Sequence, residues 1–74
     1  MNLYRVIVLR EGKEYHIERG VWADRMELQG ESILFLSFDK DTMSDRITGL
    51  YPARFTIVTS VESKEEFDKR KSSL

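Results

Sequence analysis

Apolar residues return at every second position through most of this chain, and that period commits it to β-strands. Over 3–10, Tyr4, Val6 and Val8 fall on one side, and Leu3, Ile7 and Leu9 fall on the other with Arg5 among them. A strand that is apolar on both sides is central or covered. Residues 14–19 alternate cleanly, with Tyr15 and Ile17 inward and Glu14, His16 and Glu18 outward. The polar Arg10-Glu11-Gly12-Lys13 between these segments reads as a hairpin turn.

Gly20 punctuates the pattern. Alternation resumes over 21–28, with Trp22, Met26 and Leu28 on one side and Asp24 as the exception, the kind of break that a bulge produces. A short helix over the same residues is the other reading, because Trp22 and Met26 are also spaced as helix neighbours. Gln29-Gly30-Glu31 is the next turn. Residues 32–38 are apolar on both sides and aromatic-rich, which predicts the most buried strand. A polar loop over 39–45 leads to a shorter strand at 46–51, weakened by Gly49. Pro52 lacks a backbone donor, so the chain bends there or runs along an edge. Over 54–62, Phe55, Ile57 and Val61 face inward, and Arg54, Thr56, Val58 and Ser60 outward.

The period then changes. Ser63-Lys64-Glu65-Glu66 has capping-box spacing, in which Ser63 accepts from the Glu66 backbone N–H. Phe67 is the apolar anchor of this turn, and the charged stretch that follows it frays. The expectation is an all-β fold: an antiparallel meander of five to six short strands with a short C-terminal helical turn. Such a meander closes into a small barrel or half-barrel, takes an SH3-like form, or pairs two sheets. With 74 residues there is room for one domain, read as 1–62 with a helical tail over 63–74. Trp22, Phe35 and Ile57 are expected to form the core together with Val6 or Ile7.

Charge and composition narrow the function. Twelve basic against 13 acidic residues give a net charge of −1, far from both an acidic nucleic-acid mimic and a generic phosphate collector. Without cysteine there is no disulfide scaffold, no thiolate metal site and no cysteine nucleophile. His16, the single histidine, stands on an outward face between Glu14 and Glu18, with no nucleophile beside it. Asp39, Asp41 and Asp45 resemble a fragment of a calcium loop, but Met43, Ser44 and Leu50 fill places where ligands and the turn glycine belong. No phosphate-binding glycine loop or nucleophile elbow occurs. The expectation is therefore no enzyme, no cofactor and no metal. The apolar runs are too short for a signal peptide or a membrane span, which leads to the expectation of a cytoplasmic protein.

Segments 32–38 and 55–61 are sticky strands gated by Glu31 and Asp39, and by Arg54 and Glu62. A chain this small, without disulfides, gains from oligomerisation or a partner. The functional expectation is a protein-binding module, such as an accessory, assembly or inhibitor protein. Small cysteine-free β domains of this type are common among phage and mobile-element accessory proteins. The alternative is a small β-barrel binding single-stranded nucleic acid on aromatic platforms, against which the interleaved acidic residues weigh. The expected partner-binding patch is Met43, Leu50, Tyr51 and Arg54, with Tyr51 as anchor and Arg54 as rim contact. The partner is another protein, or a second copy of the chain.

Overall fold

The computed structural model describes residues 1–10 and 16–72. The expected turn at 10–13 and the inward Tyr15 lie outside the described residues, apart from Arg10. Among the described residues six strands form: β1 (Asn2–Leu9), β2 (His16–Ala23), β3 (Arg25–Gln29), β4 (Ser32–Asp39), β5 (Ser44–Pro52) and β6 (Thr56–Ser63). A 3-10 turn at Ala53–Phe55 precedes β6, and a helix, α1 (Lys64–Ser72), follows it. All strand pairings are antiparallel, in two three-stranded sheets ordered β2-β1-β6 and β3-β4-β5. The all-β reading with a C-terminal helix holds, in the two-sheet form and not as a closed barrel.

The two sheets meet at a corner. β2 and β3 are nearly one strand, broken at Asp24, where the chain leaves the first sheet and enters the second. The Asp24 backbone N–H donates to the Leu36 carbonyl at 2.8 Å, and its carboxylate accepts the Phe38 N–H at 2.7 Å. The N-terminal ammonium lies 3.5 Å from the same carboxylate. A polar residue at this break binds backbone groups that the corner would otherwise leave unpaired. The sequence pattern expected a bulge within one strand over 21–28; the exception at Asp24 is instead the change of sheet. Gly20 does not end a strand either, since β2 runs through it opposite Arg5.

Between the sheets, Tyr4, Val6, Val21, Ala23 and Phe35 are buried, with Ile33, Tyr51 and Val58 packed against them. Phe35 is the hub: its ring centroid lies 5.1 Å from that of Tyr4 and 5.8 Å from that of Tyr51. Gly49 faces Phe35 across the ladder. A Cβ at Gly49 would stand 3.1 Å from the Tyr51 ring, 3.2 Å from Phe35 and 3.3 Å from Val21, so the glycine is where the rings find their space. The expected weak strand at 46–51 is accordingly a nine-residue strand. Gly30, with φ +59°, takes the first central place of the two-residue β3–β4 turn, the conformation a type II′ hairpin asks of glycine.

Two expected core residues lie elsewhere. Trp22 and Ile57 are 36% and 50% exposed, on the outer face of the first sheet. For Trp22, alternation along β2 turns Val21 and Ala23 inward instead. For Ile57, the cause is a bulge. Arg5 pairs with Ser60 and Val6 with Val58, which leaves Thr59 extra. That inserted residue puts Val58 on the core side and Ile57, opposite Ile7, on the outside.

The helix begins as its sequence dictates, with the Glu66 N–H donating to the Ser63 hydroxyl at 3.1 Å. It lies against β6 and β1, on the outer face of the first sheet. Arg70 donates two bonds of 3.0 Å to the Glu62 carboxylate.

Candidate protein-binding face

The helix covers part of the first sheet's outer face, leaving Ile57 half-exposed there, and it does not reach the second sheet's outer face. On the first sheet, Phe67 of α1 seats over Trp22, and Leu3, paired with Trp22, is buried. On the second sheet, cross-strand pairing puts Arg25 with Leu36 and Ile47, Glu27 with Leu34 and Leu50, and Phe38 with Asp45, all on the side away from the core. The helix packs on β6 and β1 of the first sheet and not on that side.

The face divides lengthwise. Along β3 runs a polar ladder: Gln29 donates to Glu27 at 3.3 Å, and the Arg25 Nε donates to Glu27 at 3.0 Å. The Arg25 guanidinium also reaches the Asp45 carboxylate on β5 with two bonds, of 3.0 Å and 2.5 Å. Arg25 therefore holds the Asp45 carboxyl below its ordinary range, and its own pKa is raised, first by Asp45 and then by Glu27. Along β4 and β5 the face is apolar. Leu34 and Leu36 form a buried floor, and Ile47, Leu50 and Phe38 stand above it, 62%, 61% and 48% exposed. Beyond the Phe38 end, the turn into β5 carries Met43, 74% exposed, in the left-handed region at φ 55°.

The four expected patch residues are dispersed by this geometry. Leu50 is on the open apolar face. Tyr51, its neighbour on β5, points to the other side of the sheet and packs on Phe35. Met43 stands in the turn at the opposite end of β5. Arg54 belongs to the 3-10 turn, exposed, with its guanidinium 5.6 Å from the Phe55 ring centre. Ile47 and Phe38 were not expected on such a face. The signal for Phe38 was present: residues 32–38 are apolar on both sides, and a strand with two apolar faces needs a cover on each. The single short α-helix among the described residues can supply only one.

Elsewhere the surface offers less. A shallow groove of about 400 Å³ is lined by Arg5, Glu18, Arg19, Gly20 and Thr59, a mixed-charge wall without a base and nucleophile in register. His16 is exposed, with Nε2 3.5 Å from Glu18. The three loop aspartates do not converge: Asp39 accepts the Asp41 N–H at 2.9 Å, and Asp45 is engaged by Arg25. Among the described residues, no helix is long and apolar enough to cross a membrane.

Comparison with protein-family models, with curated proteins and with solved structures returned no match.

Proposed function

We propose that this chain is a non-enzymatic protein-binding module that engages its partner through the open face of the second sheet. The observation that carries the reading is the Phe38–Ile47–Leu50 stripe, three large apolar side chains about half or more exposed on one face above a buried Leu34–Leu36 floor. Contiguous exposed apolar surface of this kind marks interaction sites, whereas scattered single residues do not. Phe38 supplies the aromatic area typical of binding hot spots, and the Arg25–Asp45–Glu27 ladder supplies a polar rim. Leu50, and Met43 in the adjoining turn, remain candidate contacts; Tyr51 contributes from inside by holding β5 on the core. Accessory, assembly or inhibitory roles, in a phage or mobile-element setting and in the cytoplasm, are the forms of activity that suit such a module.

Nucleic-acid binding is weaker on the same surface, because the Arg25 cation on it is already engaged by Asp45 and Glu27. The test is affinity capture from the source cell with the native chain and with an Ile47→Asp, Leu50→Asp variant. Random single-stranded oligonucleotide is titrated in parallel across a salt series. A protein retained by the native chain and lost by a variant of unchanged melting temperature supports the reading. Capture that survives the substitutions, or a steep salt-dependent affinity for the oligonucleotide, overturns it.

A further inference from the structure

Surface area and shape say more about what covers the open face. The chain exposes 5755 Å², whereas a compact monomer of its mass exposes about 4,700 Å². Its radius of gyration is 13.9 Å, against about 11 Å for a compact chain of this length. The molecule is a plate of 38 × 37 × 14 Å. The excess, about 1,000 Å², is close to the roughly 800 Å² that each partner buries in a standard stable interface.

The core is correspondingly thin, with Phe35 and Val6 the largest fully buried side chains. Small domains of this size usually draw stability from a disulfide, a metal or a partner subunit, and a chain without cysteine has no disulfide to draw on. A partner that contributes to folding must be present whenever the chain is made, and a second copy meets that condition.

Charge on the face points the same way. In a symmetric pairing both faces carry the same charges, so a face rich in unpaired charge of one sign repels its copy. Here the charged side chains are bonded to one another within the face, Arg25 to both Asp45 and Glu27, which leaves one net negative charge, and the Phe38–Ile47–Leu50 stripe is uncharged. A face built to attract a charged partner would leave such groups unpaired.

Resting on the reading of this face as the binding surface, we propose that its occupant is a second copy of the chain. The Phe38–Ile47–Leu50 stripe of each copy then packs on that of the other in a symmetric homodimer. The test is sedimentation equilibrium of the full chain from about 1 μM to about 1 mM. It is joined by isotope-filtered NMR on a mixture of labelled and unlabelled protein. The expected result is twice the chain mass at the upper concentrations, with intermolecular contacts among the Ile47 and Leu50 methyl groups and the Phe38 ring. Ile47→Asp, which places a charge in the interface twice, should weaken self-association at least about a hundredfold. Leu50→Ser serves as the milder second variant should Ile47→Asp fail to fold. A monomer across the whole range, or a dimer whose contacts map to the first sheet, overturns the proposal. In the monomer case, a different protein captured by the native chain and lost on Leu50→Ser preserves the binding-face reading while removing the homodimer.

Discussion

The rings of Trp22 and Phe67 meet edge to face, their centroids 5.1 Å apart and their planes at 89°. This contact, with the Arg70–Glu62 pair, ties the C-terminal helix to the outer face of the first sheet. The helix has almost no apolar stripe of its own: among Lys64–Ser72, Phe67 is the single large apolar residue. One aromatic pair therefore holds most of its docking energy.

Because Trp22 is the only tryptophan, its fluorescence reports that docking directly. Phe67→Ala should red-shift the emission and destabilise the fold by roughly 1–2 kcal/mol, the range for losing a half-buried aromatic contact. Deleting 69–74 should shift the emission in the same direction but less, because it removes the Arg70 tether and keeps Phe67. An unchanged spectrum in both variants would show that the helix does not sit on Trp22.

Gly49 is required for space and not for its backbone angle. Gly49→Ala drives a methyl against Tyr51, Phe35 and Val21 at 3.1–3.3 Å, tighter than ordinary van der Waals contact. The two rings must then separate, at a cost of about 1–3 kcal/mol in denaturant unfolding. Gly30→Ala should also destabilise, for the different reason that φ +59° suits glycine, and by about 1 kcal/mol. A double variant in which the two costs add would separate these causes, since the sites share no partner.

Stability should fall on the acid side. The Phe38 N–H, foremost, holds the Asp24 carboxyl below its ordinary value; Arg25 does so for Asp45, and Arg70 for Glu62. A carboxylate whose pKa is lower in the folded chain binds protons more readily when unfolded. Its contribution is complete above the unfolded value near pH 4 and is lost as pH falls through the lower folded value. Melting temperature should thus be nearly flat from about pH 8 to 5 and drop below about pH 4. Asp24→Asn should lower the plateau and reduce the acid slope; an undiminished slope would mean that the Asp24 contact contributes nothing.

Much of the fold was legible because alternation is a local property. Phe35 is read as core, Val6 only as one of two choices with Ile7, and the Ser63 cap follows from its spacing. What failed to show were the features set by pairing between distant segments. Nothing in residues 54–62 reveals that Thr59 is an inserted residue, because the insertion exists only relative to β1, and it decides whether Ile57 or Val58 faces in. Asp24 was visible as an exception, but its role as a corner depends on Leu36 and Phe38 of a later strand. Of the expected patch, Leu50 lies on the open face. Ile47 and Phe38 join it only once the second sheet is assembled.

Leu50 and Tyr51 are consecutive on β5 and should respond oppositely to truncation. Tyr51 meets Phe35 at near right angles, 81° between ring planes, and is half-buried. Tyr51→Ala opens the core and should cost roughly 2–3 kcal/mol, somewhat less than deleting a fully buried aromatic. Leu50 is 61% exposed, so Leu50→Ser in the isolated chain should fall within about 0.5 kcal/mol of the parent. That comparison must be made at a protein concentration low enough to keep the chain monomeric, because stabilisation by an associated copy grows with concentration. As concentration rises, the parent should gain melting temperature while Leu50→Ser does not, and Tyr51→Ala should stay destabilised at every concentration. Equal losses for the two variants in dilute solution would mean that β5 does not alternate between core and open face as placed here.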